Sequence, residues 1–79
     1  MKVHEVKLSS NYFDDVLSGK KPFELRKNDR DYREGDYLIL NEIDNDKLTG
    51  RKVKVQITYL LQGYDGLLDD YCILGIGMD

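Results

Sequence analysis

The residues of this chain best suited to chemistry lie close together, at Lys21, Glu24 and Arg26. Lys21 can hold a phosphate, or serve as a base or nucleophile where desolvation and neighbouring cations lower its pKa. Glu24 can accept hydrogen bonds from an exocyclic amine or act as a general base for water. In a strand, Glu24 and Arg26 share a face. This spacing predicts either a recognition site or a surface ion pair contributing about 0–1 kcal/mol.

Further polar and aromatic residues extend this candidate site. Lys27 and Arg30 can form a phosphate-facing rim, while Asn28 and its neighbours can equally cap a turn. His4 is either a strand histidine bound to a backbone partner or a residue beside the site. Tyr64 lies between two glycines and is the best candidate for stacking on a base, a contact worth ~1–3 kcal/mol. Most of the six tyrosines are expected to pack in the core or at the barrel mouth.

The charges are distributed in blocks. The 79 residues carry a net charge of −3, which argues against nonspecific duplex binding, since that depends on neutralising many phosphates. Residues 20–33 nevertheless hold six basic and three acidic side chains, whereas residues 34–46 hold five acids and no base. The segment around Lys21 is therefore locally positive, although solvated strand and turn faces would explain the same blocks.

Several classes of protein are excluded by composition. The only cysteine, Cys72, cannot form an internal disulfide, and with a single histidine the chain lacks the ligands of a four-coordinate zinc site. We expect no metal and no other cofactor. Neither a signal peptide nor a membrane span is apparent. The sequence therefore predicts a single cytoplasmic domain over residues 1–79 without membrane association.

The hydrophobic pattern predicts five strands and one short helix. Gly19 is placed to end the helix in a left-handed conformation, and Ser9, Ser10 or Asn11 to cap its start. The loops fall at residues 28–31, 34–36, 44–46 (with Gly50 closing the loop) and 62–70. The predicted elements are strands at 3–8, 22–26, 37–40, 53–61 and 71–76, with a helix whose apolar stripe is Tyr12, Phe13, Val16 and Leu17.

Two strands carry the clearest patterns. Residues 37–40 are continuously apolar, which predicts a strand covered on both faces. Residues 53–61 alternate strictly, which predicts one half-buried strand. Five short strands expose edges that barrel closure would remove, so a small barrel with one docked helix is favoured, and a partly open α+β sheet fits nearly as well.

Residues 19–26, Gly-Lys-Lys-Pro-Phe-Glu-Leu-Arg, match the pattern Gly-x-Lys-x-x-Glu-x-Arg. This pattern resembles the signature of the ASCH branch of the PUA-like superfamily. The whole chain is similar to short stand-alone bacterial and phage members of unknown function. The shared features are His4-Glu5-x-Lys7, Arg26 to Arg30, the Gly35-Asp36 turn and the strand Ile73 to Ile76.

The resemblance implies an α+β, mainly β fold: a small PUA-like five-stranded β-barrel with one short helix and a cleft between them. It also implies RNA, a nucleotide or a modified base as partner. Some bacterial ASCH proteins are amidohydrolases that deacylate N4-acetylcytidine, and a similar activity here would make Lys21 and Glu24 catalytic. Glu24 occupies the position of a threonine in those enzymes, so binding is the leading hypothesis. A phage or host protein-interaction domain is the third.

Overall fold

The computed structural model describes residues 1–78. One short helix accompanies five strands, and the α+β, mainly β fold class is confirmed. The elements are β1 (Val3–Ser9), α1 (Ser10–Leu17), β2 (Phe23–Lys27), β3 (Tyr37–Asp44), β4 (Lys47–Gln62) and β5 (Tyr71–Met78).

The strands form one mixed sheet curled into a half-barrel. Their order is β1-β3-β4-β5-β2, so β1 and β2 are the two edges. β1 and β3 pair in parallel, and the remaining pairs are antiparallel. The concave side holds the core, in which Leu38, Leu40 and Leu74 are completely buried. The curl brings the open edges of β1 and β2 towards each other on the side where the candidate residues lie.

Helix α1 packs against β1 and β3 and supplies Phe13 and Val16 to the core. Ser9 caps it by accepting a hydrogen bond from the Asn11 N–H at 3.2 Å. Tyr12 and Leu17 are exposed, so only half of the predicted apolar stripe enters the core. An eight-residue helix of about two turns has room for only one narrow buried face.

The loop predicted at 44–46 is a tight hairpin, and the role predicted for Gly50 is wrong. Asn45 and Asp46 both have positive φ, at 50° and 63°, which is the backbone of a two-residue type I′ turn. β4 begins directly afterwards at Lys47, so Gly50 lies within the strand. Its φ of 94° is a glycine conformation that accommodates an irregularity of the strand without ending it.

The predicted alternation of residues 53–61 fails at Thr58. The register passes from Ile57 opposite Ile76 to Tyr59 opposite Gly75, which is a β-bulge. Beyond the bulge Leu60 packs on the core and Tyr59 is 60% exposed, the reverse of the predicted faces. The extra residue moves every later side chain of β4 to the opposite face of the sheet, and the hydrophobic pattern does not predict it.

Residues 37–40 are covered unequally on their two faces. Leu38 and Leu40 are fully buried, while Tyr37 and Ile39 are only half-buried. The strand predicted to be covered on both faces is therefore completely buried on one face and partly covered on the other. Among residues 1–78, no helix has the length and apolar character needed to cross a bilayer.

Candidate functional site

Strand β2 has its faces reversed relative to an ordinary amphipathic strand. Glu24 points inward and is 3% exposed, whereas Phe23 and Leu25 are 43% and 57% exposed. Glu24 and Arg26 share a face, as their spacing predicts. Burying a carboxylate is costly unless it is paired and hydrogen-bonded, so the partners of Glu24 determine whether this strand can dock.

Two cations hold the Glu24 carboxylate, one on each oxygen. The Lys21 ammonium donates to Oε1 at 2.7 Å, and Arg26 Nε donates to Oε2 at 3.1 Å. Lys21 also donates to the Phe23 carbonyl at 3.0 Å. Both cations are largely covered by neighbouring atoms, so this is a partly buried cluster and not a surface ion pair. We call Lys21, Glu24 and Arg26 the motif cluster.

Local chain geometry places Lys21 in the motif cluster. Gly19 has φ of 79° and ends the helix as predicted, and the Lys21 N–H donates to the Asp15 carbonyl at 2.9 Å. The ammonium then lies over the rings of Tyr12 and Phe23, 5.3 and 5.0 Å from their centroids. A cation within about 6 Å of a ring face is attracted by the ring quadrupole. The rings and the carboxylate together fix the Lys21 position.

The motif cluster opens into a cavity of about 450 Å³, which we call the motif cleft. It lies between the helix start, the end of β1 and β2. Its walls combine apolar and aromatic surface with three cations and one carboxylate. The lining residues are Lys7, Leu8, Ser9, Tyr12, Lys21, Phe23, Glu24, Leu25 and Arg26.

A second cavity of about 500 Å³, the rim groove, adjoins the motif cleft. Arg26 lies between the two, because one of its terminal nitrogens donates to the Lys7 carbonyl across the gap between β1 and β2. The lining residues of the rim groove are Glu5, Val6, Lys7, Leu25, Arg26, Lys27, Asp29, Arg30, Tyr32 and Tyr71. The predicted rim residues Lys27 and Arg30 are thus next to the motif cluster.

A family model described as a domain of unknown function (DUF3850) matches residues 3–76. The chain belongs to this family. An uncharacterized 12.9 kDa protein in the GpA 3′ region of Escherichia phage P2 is similar to it, with 52% identity over 73 residues. That match covers 92% of this chain and 66% of the phage protein, so the chain spans just under two thirds of its relative's length.

The part of the chain matched by the DUF3850 model contains every lining residue of the motif cleft and the rim groove. Three predicted site residues of this DUF3850 domain nevertheless lie elsewhere. The Asn28 side chain donates to Gln62 at 2.7 Å and accepts from the Tyr32 N–H at 3.0 Å, which is the predicted turn-capping role. Tyr64 is exposed in the loop after β4 and lines neither cavity.

His4, the third of these residues, is buried at the start of β1. Its Nε2 is 2.9 Å from Asp36 Oδ2, and its ring meets Tyr32 edge-on at 4.9 Å. The partner is a side chain and not the predicted backbone group. Burial raises the pKa of Asp36, but hydrogen bonds from His4 and from two backbone N–H groups outweigh it, so the pKa is lowered overall. The pair anchors β1 to the turn before β3.

Sequence reasoning missed several residues that line these cavities. Tyr12 and Phe23 were assigned to apolar packing, yet both contact the Lys21 ammonium. Tyr32 is buried, and burial raises the pKa of its phenol; it forms a wall of the rim groove. Lys7 lines both cavities, and its place in the His-Glu-x-Lys resemblance was the one available signal.

Glu42, another buried carboxylate, also lies outside both cavities. Glu42 accepts from Arg51 on both oxygens, at 2.9 and 2.8 Å, and from the Thr49 hydroxyl at 2.6 Å. The hydrogen bonds from Arg51 lower the pKa of Glu42 to about 2. The guanidinium also lies 4.7 Å from the centroid of the Phe13 ring. Within residues 1–78, no His, Cys, Asp or Glu cluster of three or more is arranged to hold a metal.

Proposed function

We propose that this domain binds RNA or a nucleotide, including a modified base, in the motif cleft. The observation that carries the proposal is the convergence of Lys21, Glu24 and Arg26 on a cleft with aromatic and apolar walls. Ligand sites commonly combine apolar walls with a few converging polar groups. The resemblance to the ASCH branch, which is carried in part by the same residues, also supports the proposal.

The chemistry of the cleft suits a base carrying a phosphate. Each Glu24 oxygen receives one hydrogen bond from the protein and has a second lone pair, so it can accept from an exocyclic amine. Lys7 and Arg26 supply positive charge at the cleft wall, in a chain whose net charge is −3. Tyr12 and Phe23 supply ring faces. A nucleotide needs these three contributions together.

The proposal is tested by fluorescence polarisation of a labelled RNA octamer at low salt. Because removing Lys21 alone would leave Glu24 with one cation, the informative variant is Lys21→Met with Glu24→Gln, which leaves the net charge of the motif cluster unchanged. We expect it to stay folded and to lose at least tenfold in affinity. The matched control is Lys52→Met with Asp65→Asn, two exposed residues outside both cavities, and it should bind as the parent does.

Two results would contradict the proposal. One is a parent protein that binds neither RNA nor a nucleotide at low salt. The other is a folded Lys21→Met, Glu24→Gln variant whose affinity equals that of the parent. Circular dichroism on each variant separates loss of binding from loss of fold.

The second candidate function is deacylation of a modified nucleoside such as N4-acetylcytidine. The observation that favours it is that Lys21 and Glu24, the two residues that the resemblance would make catalytic, lie in contact at 2.7 Å inside the cleft. Incubating the protein with N4-acetylcytidine, beside an active amidohydrolase as control, tests it. Release of cytidine that the Lys21→Met, Glu24→Gln variant loses would support catalysis, and no release would eliminate it.

We also propose that this function is exercised in the cytoplasm. Cys72 is free and completely buried beneath the sheet, and burial raises the pKa of its thiol. A protonated thiol is a poor nucleophile, so it stays inert. The fold is thus built without a disulfide, as is usual in a reducing compartment.

A further inference from the structure

We propose that the ligand is a step of two consecutive nucleotides of single-stranded RNA. One base would occupy the motif cleft and the next the rim groove, with the phosphate between them on Arg26 and Lys7. This inference rests on the proposed function and extends it, because a mononucleotide would need only the motif cleft.

The two cavities adjoin and are similar in size. They measure about 450 and 500 Å³ and share three lining residues, Lys7, Leu25 and Arg26. The shared residues therefore mark the boundary that a ligand occupying both would cross. Two of the three are cations, which is the chemistry a linking phosphate requires. Each cavity also has aromatic walls, Tyr12 and Phe23 in one and Tyr32 and Tyr71 in the other.

Arg26 has donors to spare at this boundary. Its guanidinium carries five N–H groups. Nε donates to Glu24, and one terminal nitrogen donates to the Lys7 carbonyl. The remaining N–H groups can reach a phosphate oxygen without breaking either contact. Arg26 is therefore already oriented by protein contacts, so little side-chain entropy is lost when it binds an anion.

Four cations and two carboxylates line the rim groove, so it has a net positive charge. Lys7, Arg26, Lys27 and Arg30 line it, against Glu5 and Asp29. Lys27 and Arg30 are exposed, and in the part of the chain that the structure describes neither forms an ion pair. The motif cleft has a positive excess of its own, three cations against one carboxylate, so Lys27 and Arg30 are additional to the cations that line it. The surplus cations suit the backbone of a longer strand.

The main chain of Leu25 adds hydrogen-bonding groups at the boundary. The Pro22 carbonyl accepts from the Ile76 N–H, and the Asn28 N–H donates to the Asp70 carbonyl. Backbone groups alternate in direction along an antiparallel strand, so the even-numbered residues of β2 direct theirs towards β5. The carbonyls of Phe23 and Lys27 accordingly face the open edge, where Lys21 Nζ and the Asp29 N–H bind them. The Leu25 N–H and C=O face the same edge between the two cavities and can contact a base edge.

The test compares cytidine 5′-monophosphate with the dinucleotide pCpC by isothermal titration calorimetry at 50 mM salt. We expect pCpC to bind at least tenfold more tightly. Lys27→Ala with Arg30→Ala should remove most of that gain and leave monophosphate binding within twofold. Lys47→Ala with Lys52→Ala, two exposed cations of β4 outside both cavities, is the charge-matched control and should change neither ligand's affinity.

The salt dependence gives a second readout. Each phosphate contact contributes about −0.7 to the slope of log K against log salt for a single strand, so the parent slope should be steeper for pCpC than for the monophosphate. If the monophosphate binds and pCpC binds no more tightly, the two-nucleotide inference is overturned and the proposed function stands. If neither ligand nor the RNA octamer binds, the proposed function fails and this inference fails with it.

Discussion

Glu24 and Glu42 are both almost fully buried, yet the protein satisfies them in different ways. Glu42 accepts hydrogen bonds from Arg51 on both oxygens and from Thr49 on one of them. The Arg51 guanidinium also packs on the Phe13 ring. Glu24 takes two separate cations, one on each oxygen, and faces a cavity. The Glu42 arrangement serves the hairpin of β3 and β4. The Glu24 arrangement leaves donors and lone pairs open to a ligand.

The difference shows what marks a binding site among buried charges. Burial and pairing are common to both carboxylates, so neither property identifies function. Of the two carboxylates, only Glu24 lines a cavity and has an unused lone pair on each oxygen there. If this distinction holds, substitutions at Glu24 and at Glu42 should affect ligand binding differently.

Removing both cations from the motif cluster should destabilise the fold severely. Lys21→Met with Arg26→Met leaves Glu24 buried without a partner, and breaking a buried ion pair costs about 3–5 kcal/mol. Adding Glu24→Met should restore stability to within about 1–2 kcal/mol, because an apolar trio of similar volume needs no pairing. Urea unfolding followed by circular dichroism measures both. A double variant as stable as the parent would mean that Glu24 is solvated.

Substitution of Glu24 should weaken ligand binding by about tenfold, whereas the same substitution of Glu42 should not. Glu24→Gln removes an acceptor from the motif cleft and should weaken binding of a cytidine nucleotide by that factor. Glu42→Gln should leave the affinity of the folded protein unchanged, since Glu42 lines neither cavity. Titration calorimetry measures both variants. Equal losses in the two would erase the distinction.

The hydrogen bonds of Glu42 should make the folding stability of the protein depend on pH in the acid range. The pKa of Glu42 is lowered from 4.5 to about 2 by its hydrogen bonds. A lowered folded-state pKa contributes stability that is present above 4.5 and is lost as pH falls from 4.5 towards 2. The parent's urea midpoint should therefore fall over this window, and Asp36, whose pKa is also lowered, adds to the fall. Glu42→Gln should show a shallower decline, and an identical decline would contradict the assignment.

The smallest effect is expected at Asp14. It lies on α1 and accepts from Arg51 at 3.2 Å, but both side chains of this pair are at least half exposed. Exposed pairs contribute little because water screens them. Asp14→Asn should leave the urea midpoint unchanged within error. A clear drop would show that α1 depends on this contact as well as on its buried face.

The sequence predicted the motif cluster better than its surroundings. The strand period placed Glu24 and Arg26 on one face, and Gly19 marked the helix end, since both depend on local rules. The direction of that face was not predictable, because an apolar Phe23 and Leu25 suggested the opposite burial. The partners of Glu42 and His4 lie 9 and 32 residues away, and spacing alone cannot identify them.

The faces predicted for the end of β4 were wrong because they, too, depend on a distant residue. The alternating residues of β4 were correctly identified as a strand, but the bulge at Thr58 fits against Gly75 on the neighbouring strand. A Cβ at Gly75 would lie 3.1 Å from both Thr58 Oγ1 and Tyr59 Cβ. The irregularity is therefore a property of two strands together, and the pattern of one strand cannot contain it.

The strand order has a consequence for how the protein is made. Among the described residues β2 pairs only with β5, so Glu24 has no neighbouring strand to dock on until Tyr71–Met78 has been synthesised. Until then we expect the side chains of Glu24, Lys21 and Arg26 to be hydrated, because the carboxylate has no buried position to occupy. Long-range pairing of this kind is completed late and slowly. An N-terminal fragment ending before Tyr71 lacks the only strand that β2 pairs with, so it should also lack the motif cleft.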